Sequence, residues 1–121
     1  MSKLHLGCGK RYLPGYIHID YSSYEHIDYK KPIYPLPFIN NSSVDEIYCS
    51  HALEYFDYYE GRKVLNEWKR CLSKGGILRL SVPNFDQLIK VYLQKNSDID
   101  SIIGPMFGRW EVEKNKFIYH K

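Results

Sequence analysis

The apolar positions of this chain fall into short runs separated by glycine, proline and polar turns, and the period of each run predicts its element. In the stretch KLHLGCGKRYLPGYIHID, Lys3 to Asp20, Leu4 and Leu6 form a first strand that feeds Gly7-Cys8-Gly9. After a Pro14-Gly15 turn, Ile17 and Ile19 form a second strand that ends in Asp20. Only ten residues separate Gly9 from Asp20, two of them Pro14 and Gly15, which leaves no room for a crossover helix plus a strand. Any helix there is about one turn.

Downstream, Tyr21 to Asn41 is polar and then punctuated by Pro32, Pro35 and Pro37, with His26 to Tyr29 as a short third strand. Val44, Ile47, Tyr48 and Cys49 read as a mostly buried strand that leaves the sheet at Ser50-His51, followed by a short helical segment over Ala52 to Phe56. Asp57 is the N-cap expected for a helix running to about Leu72, with Val64, Leu65, Trp68 and Leu72 on one face, Trp68 as core, and Ser73-Lys74-Gly75-Gly76 as its C-terminal stop. Ile77 to Val82 is the next strand, closed by Pro83-Asn84. Phe85, Leu88, Ile89, Tyr92 and Leu93 then recur at i, i+3, i+4, i+7 and i+8, which predicts a helix to about Gln94. Alternating strands and helices predict an α/β fold with an open, mainly parallel sheet of about five strands flanked by helices. After Asn96 the aromatic residues Phe107, Trp110, Phe117 and Tyr119 follow no period, and the segment reads as a loop or lid. The expected organisation is one domain over residues 1–121, with a core over 1–96 and an aromatic tail over 97–121.

Composition narrows the class. At 121 residues the chain is long enough to bury a single core. No run approaches the roughly 18 apolar residues of a membrane span, and Met1 to Lys10 lacks the apolar centre of a signal peptide, so the expectation is a cytoplasmic protein with no membrane partner. Cys8, Cys49 and Cys71 are an odd number, widely spaced and without clustered histidines, which points to reduced, mostly buried thiols and no metal site. The formal charge of +3 comes from scattered basic pairs among acids, so no nucleic-acid partner is expected.

The chemistry concentrates in the first twenty residues. Glycines let a chain turn sharply and let a ligand approach the backbone, and a carboxylate at the tip of the neighbouring strand accepts hydrogen bonds from a ribose diol. Gly7, Gly9 and Asp20 would therefore act together, against the plainer reading of a tight turn between two strands. A dinucleotide fingerprint would need a third glycine where Tyr12 stands and an acid further on than Asp20, so a nicotinamide or flavin site is disfavoured. Asp28 is either a ligand-facing acid or a solvated loop acid. Ser50 and His51, just past a strand's carboxyl end, are placed like residues lining the ligand crevice of an open α/β sheet.

Together these residues resemble the class I S-adenosylmethionine-dependent methyltransferases, in particular a small bacterial type-11-like branch. The matching pieces are Leu4 to Gly9, Leu13 to Gly15, Asp20, Leu36 to Phe38, Ser43 to Asp45, Leu53 to Tyr55, Gly75-Gly76 and Val82-Pro83. The resemblance implies a Rossmann-like fold with S-adenosyl-L-methionine as cofactor and S-adenosyl-L-homocysteine as product. By the same resemblance Gly7, Cys8 and Gly9 would pack on the amino-acid and ribose part, and Asp20 would bind the ribose hydroxyls. Asp28 would meet the adenine amine, while Ser50 and His51 would close over the methionine end. Two positions depart from the wider pattern: His5 stands where an acid is common, and Arg11 where a third glycine is usual. The family's sheet has seven strands ending in an antiparallel hairpin, so a chain ending at His120-Lys121 reads as a truncated domain lacking that hairpin.

An open edge at Ile77 to Val82 would then invite pairing with a second copy, through that edge or the tail. Methyl transfer needs chiefly alignment of donor and acceptor, with a general base only where the acceptor loses a proton. His51 is the candidate base, because imidazole changes charge near working pH, and its alternative role is a cap on the short helix. Glu54, Tyr55, Tyr119 and His120 are weaker candidates. The leading function is a methyltransferase acting on a small-molecule or sugar-type acceptor. The alternatives are a cofactor-binding but inactive fragment or dimerisation module, and an interaction protein that kept the fold and lost the site; intact Gly7, Gly9 and Asp20 argue against the last.

Overall fold

The computed structural model of the chain describes residues 2–94, 110–113 and 116–118. Strands β1 (Ser2–Leu6), β2 (Ile17–Asp20), β3 (Tyr29–Lys30), β4 (Val44–Ser50) and β5 (Leu72–Ser81) form one parallel sheet in the order β3-β2-β1-β4-β5. Helix α1 (Tyr58–Cys71) links β4 to β5, after a 3₁₀ turn at Leu53–Tyr55, and α2 (Phe85–Gln94) follows β5. This is the Rossmann-like α/β architecture the alternating pattern predicts. Among the described residues no helix is long and apolar enough to cross a membrane.

Register explains the layering. Leu4 lies beside Ile17 and Ile47, and Leu6 beside Ile19 and Cys49, so alternate positions of three strands build one apolar face. That face is covered by Leu36 and by Val64, Trp68 and Cys71 of α1, all buried. Trp68 reaches through the core to donate its indole N–H to the Ile33 carbonyl at 2.9 Å. Helix α1 starts at a capping box: Asp57 accepts from the Glu60 N–H at 2.8 Å and Glu60 accepts from the Asp57 N–H at 3.2 Å. Near its other end Arg70 donates to the carbonyls of Leu36 (2.8 Å) and Ile39 (2.9 Å) and to the Asn41 side chain (2.6 Å). Glu67 accepts from the Leu36 N–H at 3.1 Å and pairs with Arg70, which holds its carboxyl below the usual carboxylate range. The proline-rich connection before β4 is thereby fastened to α1.

The opposite face is polar. His5 lies beside His18 and Tyr48, and Tyr48 beside Arg79. An all-parallel sheet usually carries helices on both faces, but the short β1–β2 connection supplies Tyr12 and Tyr16 instead. Tyr12 stacks on His18 with centroids 5.1 Å apart, and the His5 ring meets those of Tyr16, His18 and Tyr48. The Tyr16 hydroxyl and Arg79 Nε, the latter at 2.8 Å, both donate to Glu46 and hold its carboxyl low, so a charged side chain is buried with partners.

Four expectations shift. The third strand begins at Tyr29, because His26 to Asp28 forms the approach, with the Asp28 N–H on the His18 carbonyl at 2.9 Å. Helix α1 ends at Cys71 and the chain enters β5 at once, so Leu72 pairs with Val44 instead of extending the helix face, and Leu65 is partly exposed. The expected glycine stop lies instead in an irregularity of β5 between Leu72 and Ile77, where a Cβ on Gly76 would stand 2.9 Å from the Ser73 carbonyl oxygen. The tail read as loop contains an antiparallel pair, β6 (Trp110–Glu113) and β7 (Lys116–Ile118), forming a second sheet. Residues rich in β-branched and aromatic types can pair as strands too short for a period to register. Tyr119 and His120 lie outside the described residues.

Candidate functional site

In an open parallel sheet the connections after the carboxyl ends of the strands form the ligand crevice, and here the β1–β2 and β4–α1 connections meet. The Gly7 N–H extends the ladder by donating to the Ile19 carbonyl at 2.9 Å. Gly7 has φ +65°, and a Cβ there would lie 2.8 Å from the Ala52 Cβ, closer than side chains can approach. Glycine at this position lets the two connections touch.

Gly9, φ +53°, is held from both sides. Its N–H donates to Asp20 Oδ2 at 2.9 Å, and its carbonyl accepts from His26 Nε2 at 2.9 Å. The Arg11 N–H closes the turn on the Cys8 carbonyl at 3.0 Å. Apart from Gly9 itself and its chain neighbours Cys8 and Lys10, no heavy atom lies within 4 Å of where a Gly9 Cβ would be, so the clamped peptide borders open space.

Asp20 is 2% exposed and serves three donors: Gly9 N–H on Oδ2, and the Ser22 N–H (2.7 Å) and Ser22 hydroxyl on Oδ1. A carboxylate offers about four lone-pair positions, so the loop leaves room for one more donor, and the Ser22 hydroxyl can rotate away to admit a second. Cys8 is buried, and its thiol is pushed up to about 12 by burial and then by the charge of Asp20. Burial and the raised pKa favour the neutral thiol, which packs beside the glycine turn. Cys49 is pushed up to about 12 by burial, then by Glu54, and Cys71 is raised by burial.

Ser50 ends β4, and the His51 N–H donates to the Ser81 carbonyl at 2.8 Å, bridging the tips of β4 and β5. His51 takes φ +55°, a region few non-glycine residues adopt, and its ring is 60% exposed with Nδ1 3.4 Å from Glu54 Oε2. Asp28 stands apart from this group. Its Oδ2 accepts from the His18 N–H at 2.7 Å, level with the second residue of β2. His18 Nε2 accepts from the Leu13 N–H at 3.0 Å, which puts the ring proton of the neutral form on Nδ1, 3.5 Å from Asp28.

The structure thus brings Gly7, Cys8, Gly9 and Asp20 into one unit and sets Ser50 and His51 at the tip of the adjoining strand, while Asp28 fastens the start of β2. Sequence reasoning missed Ser22 and His26. Ser22 was legible as a hydroxyl two residues after an acid, a spacing that forms Asx-type turns; nothing local marked His26.

A family model described as a methyltransferase domain matches residues 17–80, just over half of the chain, from β2 almost to the end of β5. The glycine loop precedes the matched stretch. Neither a curated protein nor a solved structure matches the chain significantly.

Proposed function

Because the chain belongs to the methyltransferase domain family, we propose that it binds S-adenosyl-L-methionine at the tips of β1, β2 and β4 and methylates a small-molecule or sugar-type acceptor. The observation that carries this reading is the Gly9 peptide, clamped by Asp20 and His26 beside open space. The residues present suit the cofactor: an acid with spare acceptor capacity lies next to the Gly9 peptide, which borders open space.

When bound, the cofactor supplies an electrophilic methyl carbon on sulfur and leaves as S-adenosyl-L-homocysteine. The chain's own part is alignment. Gly7, Cys8 and Gly9 pack against the amino-acid and ribose portion, and Asp20 accepts the ribose hydroxyls as the Ser22 hydroxyl turns away. His18 engages one oxygen of Asp28, and the adenine amine is the proposed partner of the other. Ser50 and His51 cover the methionine end. For an acceptor that must lose a proton, His51 is the proposed base, its ring oriented by Glu54 at Nδ1.

Amide NMR tests the location. Adding S-adenosyl-L-homocysteine should shift the resonances of Gly7, Gly9, Asp20 and Ser50 and leave those at the start of the strands in place. Shifts confined to α1, or none at millimolar ligand, would overturn it.

A further inference from the structure

The imidazole of His18 is buried, 1% exposed, between the two connections that flank β2. From the β1–β2 connection the Leu13 N–H donates to its Nε2 at 3.0 Å, and the Tyr12 ring stacks on it at 5.1 Å. From the β2–β3 connection Asp28 Oδ2 lies 3.5 Å from Nδ1, and His26 meets the ring edge-on at 5.4 Å. His5 of β1 packs beside it at 5.3 Å. Tyr12 also reaches His26, whose Nε2 donates to the Gly9 carbonyl. One ring thus joins the Pro14-Gly15 turn to the clamp on Gly9.

The bond from Leu13 fixes a protonation state. A backbone N–H can only donate, so Nε2 presents its lone pair and the ring is neutral, with its proton on Nδ1 toward the Asp28 carboxylate. A second proton, on Nε2, would face the Leu13 N–H donor to donor. It would also place a charge in a buried site beside His5 and His26, with Arg11 near enough to act on His5. The opposing attraction comes from Asp28, which is 53% exposed, so water screens its hold on the ring. The protonated ring therefore suits a connection moved off the sheet, where Nε2–H meets water. Neither neighbouring imidazole duplicates this device. Burial, and then the charge of His18, lower His5 to about 4, and His26 still donates to the Gly9 carbonyl when both its nitrogens carry protons.

We propose that His18 is a positioning residue for the cofactor loop: its neutral ring props the β1–β2 connection against the sheet, and protonation releases Leu13 and with it the setting of Gly9. Ligand affinity then falls as the pH drops, although His18 does not touch the ligand. That consequence rests on the S-adenosyl-L-methionine reading of the site, whereas the prop itself does not.

Nitrogen-15 NMR of the full chain tests the prop without ligand. Near pH 8 the ring signals of His18 should show a proton on Nδ1 and none on Nε2, and as the pH is lowered to about 5, across the range in which histidines change charge, the Leu13 amide should lose its protection from hydrogen exchange in step with the ring. A proton on Nε2 near pH 8, a ring that stays neutral throughout, or Leu13 protection indifferent to the ring's charge would overturn the proposal. Calorimetry with S-adenosyl-L-homocysteine over the same range tests the consequence. Binding by the wild type should weaken about tenfold, as the loss of one hydrogen bond would give, while His18→Gln, whose side-chain carbonyl can accept from Leu13 at either pH, keeps its affinity. An equal fall in His18→Gln would place the effect on another proton and overturn the proposal. No binding at either end of the range would overturn the cofactor reading instead, and the ring and Leu13 signals would still decide the prop.

Discussion

The contact between Gly7 and Ala52 makes a quantitative prediction about how the two halves of the crevice are held. Replacing Gly7 by alanine has two costs. A side chain at φ +65° costs about 1–2 kcal/mol, and a Cβ only 2.8 Å from Ala52 forces a shift of the kind that costs about 1–3 kcal/mol in packed sites. Gly9→Ala carries the first cost without the second, because nothing lies within 4 Å of the new Cβ. Gly7→Ala should therefore destabilise by about 2–5 kcal/mol and Gly9→Ala by about 1–2 kcal/mol. Ala52→Gly by itself should cost about 0.5–1 kcal/mol. Combined with Gly7→Ala it removes the clash and leaves the dihedral cost, so the double variant should be more stable than the sum of the singles by about 1–3 kcal/mol. Urea unfolding of the four proteins at constant m value gives each figure. Equal losses at Gly7 and Gly9 with strict additivity at Ala52 would refute the contact.

Other predictions follow from single contacts. Arg70→Lys cannot span the carbonyls of Leu36 and Ile39 and the Asn41 side chain with one ammonium, so urea unfolding should show a loss of about 1–3 kcal/mol; an unchanged midpoint would remove Arg70 as the fastener. His5 is held neutral down to about pH 4, chiefly by burial and then by the nearby His18 and Arg11 charges, while the unfolded imidazole titrates at 6.5. Protons then bind the unfolded chain first, and stability present above pH 6.5 falls by up to about 3 kcal/mol as the pH drops to about 4. His5→Leu should flatten that limb in denaturation series at each pH, and an identical acid limb would contradict the assignment. His26→Ala should speed hydrogen exchange at Gly9 and weaken S-adenosyl-L-homocysteine binding about tenfold, with His26→Gln, which still donates to the Gly9 carbonyl, restoring both. Rescue by alanine as complete as by glutamine would show that the donor is irrelevant.

What the sequence made legible was local and periodic. Leu4-x-Leu6, Ile17-x-Ile19 and the run at Ile77 marked strands because alternation needs only neighbours, and Asp57 marked the start of α1 because an N-cap residue stands directly before its helix. The glycine loop and its acid were visible for the same reason. The parts that stayed hidden depend on contacts distant in sequence. Lys69-Arg70 is one of the scattered basic pairs of the sequence, yet the partners of Arg70 lie about thirty residues back, in the proline-rich connection. His5 and His18 interleave with leucines and isoleucines, a polar-apolar alternation that already describes a sheet with one helix-covered face, but only register puts the two rings together with Tyr48. The end of α1 was misplaced because Leu72 suits both helix and strand, and pairing with Val44 decides it. His26 reaches Gly9 only once β2 has turned back beside β1.

The central claim is that the Gly9–Asp20 unit is a cofactor site, and the most direct measurement is calorimetric titration of the folded chain and of Asp20→Asn with S-adenosyl-L-homocysteine. Asparagine keeps the shape but turns one acceptor into a donor facing the donors of Gly9 or Ser22. The account predicts saturable binding by the wild type, weakened about tenfold or more in a variant that remains folded. A folded wild type that takes up no ligand, or an Asp20→Asn variant that binds equally well, would contradict it.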